Sequence, residues 1–211
     1  MRTLSDELLA AVDSTPRRFV LGVTGPPGAG KSRFANALAK AVAEQRGPGF
    51  AAVAPLDGFH LSNEALDRLD LRSVKGAPET FDADAFVRSV RRLRTEPAAT
   101  VLWPDFDRAA EETVPDAISI GHDARLVITE GNYLLLTHPP WHGLRGVLDE
   151  VWYLDAPREV LRRRLIDRQL LGGRSEAEAV RHVDQSDLRN ADLVAETRDL
   201  ADRTFPPDRL Q

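Results

Sequence analysis

The sequence predicts a doubly wound α/β fold, a parallel sheet with helices on both faces. Three observations predict it. An apolar run breaks into a glycine-rich loop near residue 25 and resumes as an amphipathic helix. Further short apolar runs alternate with helical stretches, the pattern of crossover-connected parallel strands. The chain has 211 residues and is 42% hydrophobic, enough for one sizeable core and near the upper size of a single domain.

Taken in order, Ser5 to Val12 has helical spacing, Pro16 punctuates, and RFVLGVT, Arg18 to Thr24, reads as a buried strand. After the glycines, Phe34, Leu38, Ala41 and Val42 recur at helical spacing until Gly47. Phe50 to Leu56, Arg125 to Thr129 and Val151 to Leu154 are the other expected strands. Between Asp57 and Gly121 the pattern is less regular, with a helix expected over Ala83 to Arg94 and a short strand around Val101. Residues 57–121 are read as a substrate-binding insertion within a single domain spanning 1–211. Arg158 to Leu171 is a strongly basic helix stopped by Gly172 and Gly173, and Ser175 with Glu178 forms a capping box that starts another. Two helices joined at a glycine pair can hinge, so 158–188 is read as a lid.

Composition excludes several function classes. With 28 basic and 33 acidic residues the formal charge is -5, so no global positive field exists to hold a nucleic-acid backbone. The absence of cysteine removes disulfides, thiolate zinc sites and cysteine nucleophiles. MRTLSDELLA lacks the apolar stretch of a signal peptide and no run reaches transmembrane length, so a cytoplasmic protein without a membrane partner is the expectation. Homodimerisation is left open. Of the basic residues only Lys31, Lys40 and Lys75 are lysines, which singles out places where a compact charge rather than a planar fork is used.

The strongest chemical signal is GPPGAGKS, formed by Gly25, Pro26, Pro27, Gly28, Ala29, Gly30, Lys31 and Ser32. It satisfies the phosphate-loop pattern G-x-x-x-x-G-K-[ST], between a strand and a helix as that pattern requires. Glycines let the backbone curl so that amides point inward, and the helix beginning at Lys31 adds its positive end toward a phosphate. Lys31 would reach the outer phosphates and the Ser32 hydroxyl would bind magnesium, with Arg33 beside them. ATP and Mg²⁺ are the cofactors expected.

Asp57, in LDGFH at the carboxyl end of the second strand, lies where open parallel sheets bind ligands. There it would take a proton from an attacking hydroxyl or help hold the metal; the alternative is a turn or helix cap. His60 is either a substrate contact or a hydrogen-bonded loop residue. Glu130 ends the strand of RLVITEGNYLLL and would hold magnesium opposite Ser32, with Asn132 and Tyr133 lining the pocket. Arg164 and Arg168 are four apart and share a face, so both can point at one phosphate group; the alternative, for two or three of Arg162, Arg163, Arg164, Arg168 and Arg174, is a solvated face with Glu159 and Asp167 as partners. WPDFDR, Trp103 to Arg108, mixes aromatic and polar residues and offers Asp107 and Arg108 to a small molecule, or else is a turn packing Trp103 and Phe106. His138 and His142 are separated by Pro139 and Pro140 and cannot form a helical metal pair.

Together these strings resemble the phosphoribulokinase/uridine kinase family of P-loop kinases, with bacterial pantothenate kinase as a further relative. GPPGAGKS is similar to the family's phosphate loop, LDGFH to the strand end whose Asp serves as catalytic base, and TEGNYLL to the strand ending in a metal-associated Glu. RRRLIDR resembles the family's lid, and KGAPETFD, Lys75 to Asp82, a shared substrate loop. The combination looks nearest to the bacterial subgroup labelled nucleoside/nucleotide kinase-like or fructokinase-like. Uridine kinases generally carry an Asp and a His where this chain reads Lys75, Gly76 and Ala77, and that Asp contacts the ribose, so the departure argues against a nucleoside; Lys75 either meets an anionic group or is simply exposed. The expected activity is transfer of the γ-phosphoryl group of ATP to a hydroxyl of a small metabolite: a sugar, a nucleoside or a pantothenate-like acid. The rival is a P-loop ATPase acting as a nucleotide-dependent switch; a nucleic-acid kinase comes third because the chain is acidic.

Overall fold

The computed structural model describes residues 1–206. The chain opens with α1 (Arg2–Asp13), β1 (Phe19–Thr24), α2 (Lys31–Arg46) and β2 (Ala51–Pro55). The middle carries α3 (Asn63–Arg68), α4 (Ala83–Thr95) and a hairpin of β3 (Val101–Asp107) and β4 (Glu112–Ile120). The last third holds β5 (Leu126–Glu130), β6 (Glu150–Leu154), α5 (Arg158–Leu171), α6 (Glu176–His182), α7 (Leu188–Ala195) and β7 (Arg203–Phe205). The main sheet runs β2-β5-β1-β6-β7 with every pairing parallel. This is the doubly wound architecture the alternating pattern predicts.

Every residue of β1 and β5 is buried, as strands covered on both faces must be. Alternation divides them between two cores. Val20 and Val127 join Phe86, Trp103, Tyr133 and Trp141 on one face, while Leu21, Val23 and Ile128 join Phe34, Leu38 and Trp152 on the other. In α2 the buried positions are Lys31, Phe34, Ala35, Leu38 and Val42, a helical stripe against that second core. Polar caps begin α3 and α4: the Ser62 and Asp82 side chains accept from the Ala65 and Ala85 amides. The capping box of Ser175 and Glu178 is present at the start of α6.

Three strands depart from the sequence reading. Instead of a short strand near Val101, β3 spans seven residues and pairs antiparallel with β4. β4 is largely exposed and contains Pro115, so its composition reads as loop; a two-stranded ribbon tolerates proline because each strand has a free edge. β7 has three residues, too few to show a period, and is held by pairing with β6. The hairpin is anchored at its base, where the Trp103 indole N–H donates to the Pro55 carbonyl at 2.9 Å. A Cβ on Gly58 would lie 2.2 Å from the Pro104 oxygen, so only glycine permits this approach.

The basic face of α5 also differs. Arg162 bonds Asp184 at 2.7 Å and Arg158 pairs with Asp192, so the carboxylates come from the α6–α7 region rather than from Glu159 or Asp167 within the helix. His138 and His142 are exposed residues near a short turn. Among the described residues no helix is long and apolar enough to cross a membrane.

Candidate active site

The carboxyl edge of β1 continues into the glycine loop, and Gly25 there has φ of 146° with a notional Cβ 2.4 Å from the Leu154 carbonyl oxygen, a place for glycine alone. Gly30, at φ of 94°, is the residue from which α2 starts. Pro26 and Pro27 are buried, and the Ala29 amide donates to the Pro26 carbonyl at 3.1 Å, which closes the turn. Lys31 folds back over the loop and donates to the Gly25 and Pro26 carbonyls at 3.0 and 3.1 Å. Burial holds its ammonium down at about 8, against the attraction of Glu130 and Asp57. Arg33, on the exposed side of α2, faces the same pocket.

Opposite the loop, the Ser32 hydroxyl donates to Glu130 Oε1 at 2.8 Å. Glu130 is buried at the end of β5, and desolvation together with the nearby Asp57 charge pushes its carboxyl up to about 7. A hydroxyl and a buried carboxylate oxygen side by side suit Mg²⁺, which retains several waters and takes further ligands from substrate phosphates. Among the described residues no group of three or more His, Cys, Asp or Glu could hold a metal ion. A cation there would also offset the burial cost of Glu130.

Asp57 begins a short 3₁₀ turn just past β2 and faces the same pocket, of about 810 Å³. Its Oδ2 accepts from Arg108 at 2.7 Å, so the hairpin reaches across to the strand edge. His60 Nδ1 donates to the Asp57 carbonyl at 2.8 Å; since a carbonyl only accepts, that nitrogen carries the proton. Burial lowers the His60 pKa and favours the neutral ring, which leaves Nε2 an acceptor. The ring packs against Phe81 and Phe106 in tilted arrangements, with centroids 4.0 and 4.7 Å away. WPDFDR therefore divides: Trp103 packs in the core and Phe106 lines the pocket.

Three expected substrate contacts are placed otherwise. Asp107 does not line the pocket; its Oδ1 accepts from the Ala109 and Ala110 amides at 2.8 and 3.1 Å and ties the hairpin turn, a common use of aspartate. Tyr133 is fully buried and its hydroxyl donates to the Gly76 carbonyl, so it clamps the substrate loop from the core side instead of facing the ligand. Lys75 does line the pocket, but its ammonium is engaged: it donates to Asn63 Oδ1 and the Glu111 carbonyl, both at 2.7 Å, and lies 5.2 Å from the Phe106 ring centre. It is a latch between the loop, α3 and the hairpin tip. Asn132 lines the pocket, and its carbonyl accepts from Thr24 at 3.0 Å.

On α5, Arg164 donates to the Gly28 carbonyl at 3.1 Å and seats the helix on the glycine loop. Arg168, one turn on, lines the pocket. Sequence reading did not find Asp187, which stands 3.7 Å from Arg168, or Gln169 and His182, which meet Asp187. They carry no motif, and Asp187 lines the pocket from the π-helical turn Val183–Asp187 between α6 and α7.

A strand, a glycine loop and a helix presenting Lys31 and Ser32 to a carboxylate at the edge of a parallel sheet define a P-loop phosphotransferase. Known proteins narrow the class. A Schizosaccharomyces pombe protein with a provisional uridine kinase name is 39% identical over 84% of this chain and 78% of its own. An Aspergillus versicolor protein described as ATP-dependent and kinase-like is 35% identical over 68% of this chain and 88% of its own. The crystal structure of a provisional fructose transport system kinase from Silicibacter sp. TM1040 is 38% identical, with a TM-score of 0.88 over 97% of this chain and 98% of the other. No family model matches. The chain belongs to the phosphoribulokinase/uridine kinase family of P-loop kinases. It is a kinase that uses ATP.

Proposed function

We propose that the protein transfers the γ-phosphoryl group of ATP to a hydroxyl of a small metabolite. One observation carries this reading: Lys31, the Ser32–Glu130 pair and Asp57 converge on a single pocket that aromatic rings also line. A phosphate-binding edge and a carboxylate at the mouth of an organic-sized cavity suit a second substrate.

The glycine loop and Lys31 bind the phosphates. Ser32 and Glu130 would hold Mg²⁺, which would supply charge neutralisation on the phosphate oxygens. Asp57 orients the acceptor hydroxyl; with Oδ2 bonded to Arg108, Oδ1 is the oxygen that accepts the proton. The acceptor oxygen bonds the γ-phosphorus as the bond to the β–γ bridging oxygen breaks, and ADP leaves. Arg168, and Arg164 on its seat at Gly28, offset charge on the moving phosphoryl. Catalysis is mostly positioning, so the pocket excludes water in favour of the acceptor.

The test is ATP consumption by the purified protein against a panel of small hydroxylated metabolites. One acceptor raising turnover far above background, only with Asp57 intact, is the expected result. Slow hydrolysis that no acceptor alters would replace this reading with the nucleotide-dependent switch.

A further inference from the structure

A second cleft, of about 740 Å³, borders the substrate loop. Gly76 lines the pocket of Lys31 and Asp57, whereas Ala77, Pro78 and Glu79 line this cleft, and Phe81 alone belongs to both. Much of the lining is apolar, including the buried Trp141 and the half-buried Leu193. Asn190 of α7 is the exception. It is 7% exposed and lines the cleft, and among the described residues neither atom of its side-chain amide has a hydrogen-bond partner. The one wholly enclosed side-chain polar atom without a partner there is Arg125 Nε, so the Asn190 amide is not sealed in the core and turns to the cleft. A buried amide left unpaired is costly, and a ligand in the cleft would supply the missing donor and acceptor.

The charged groups around that amide sort by element. Glu79, Asp82 and Asp84 come from the substrate loop and the start of α4, while Arg189, beside Asn190 in sequence, comes from α7. Asp82 is partly used, its Oδ1 capping α4 through the Ala85 amide at 2.9 Å. Glu79, Asp84 and Arg189 make no ion pair or side-chain hydrogen bond among the described residues, and the exposed His138 completes the titratable lining. A simple anion would meet three carboxylates, and a simple cation would meet the Arg189 guanidinium. A molecule with both an ammonium and a carboxylate suits both segments. Its ammonium donates to Glu79 or Asp84, its carboxylate accepts from Arg189 and the Asn190 Nδ2, and a hydrocarbon body covers Trp141 and Phe81.

We propose that this cleft is a second ligand site, which binds an amino acid with an apolar side chain and uses Asn190 as its buried anchor. The site is separate from the phosphotransferase pocket and does not depend on that reading. Titration calorimetry on the full chain measures L-leucine, L-valine, L-methionine and L-phenylalanine, beside isopentylamine and 4-methylpentanoate, which keep the leucine hydrocarbon with one charge each. At least one amino acid is expected to bind with a Kd of about 1 mM or tighter, and each single-charge compound roughly ten-fold more weakly or worse than L-leucine. Arg189→Gln, and Glu79→Gln combined with Asp84→Asn, change exposed positions and should each weaken amino-acid binding about ten-fold. Asn190→Ala should weaken it as much; if that variant fails to fold, the exposed variants still decide. Saturating ATP should leave the affinity within about two-fold, since Phe81 is the one lining residue the clefts share. No binding by any of the four amino acids overturns the assignment, as does equal binding of the amine or the acid alone. Binding that neither exposed variant weakens also overturns it, and so does displacement by ATP, which would put the ligand in the Lys31 pocket.

Discussion

The two sides of the pocket are built on different plans. The nucleotide side is one continuous run, β1, the glycine loop and α2, and it works largely through backbone: curled amides, a helix end and the carbonyls that hold Lys31. The proposed acceptor side is collected from far apart in the chain: Asp57 after β2, Lys75 from a loop, Arg108 from the hairpin and Asp187 from a π-turn. A phosphate presents the same oxygens in every reaction, so a local backbone cradle suffices. An acceptor differs from enzyme to enzyme, and side chains on separate elements can be changed one at a time.

This contrast predicts that damage on the nucleotide side abolishes turnover with every acceptor, while damage on the acceptor side alters selectivity and spares ATP binding. The largest effect is expected for Lys31→Ala, a loss of roughly 10³-fold or more in turnover, read by ADP release; near-wild-type turnover would deny the loop its role. Asp57→Asn should lower kcat about 10²-fold or more with KM for ATP little changed, since it removes a base and not a phosphate contact. A parallel rise in KM for ATP would place Asp57 with the metal instead.

Glu130→Gln should cost roughly ten- to a hundred-fold in activity. It also has a signature in stability. The Glu130 carboxyl is raised from 4.5 to about 7, so between those values the folded protein holds more protons than the unfolded chain and its stability falls as pH rises. Without metal, Glu130→Gln should therefore be more stable than wild type at pH 8, by roughly 1–3 kcal/mol, and nearly equal to it at pH 4.5. Thermal melts with a chelator at the two pH values decide this; the same difference at both would contradict it. Added Mg²⁺ should raise the wild-type melting temperature and leave the variant unmoved.

The smallest effect belongs to Lys75→Met. Removing the latch to Asn63 and Glu111 should cost about 1 kcal/mol of stability and raise the acceptor KM a few-fold, with KM for ATP unchanged. If KM for ATP rises equally, the two sides are not independent.

The phosphate loop was legible because its chemistry is local: Gly25 to Ser32 are consecutive, and a strand before them and a helix after them suffice to curl the amides. Asp57 and Glu130 could be placed at the same edge from the strands they end, since parallel strands bring their carboxyl ends together. β4 was not legible because exposed residues and a proline hide a strand whose pairing comes from β3.

The sequence by itself determined the doubly wound class and the contiguous loop, both of which follow from periodicity and from neighbours along the chain. Only the tertiary structure decided that Asp107 ties a turn, that Tyr133 clamps Gly76 from within and that Lys75 is already engaged. It also brought Asp187 within reach of Arg168. In each case the deciding partner is set by folding or backbone conformation, and residue type says what a side chain can bond but not what will stand beside it.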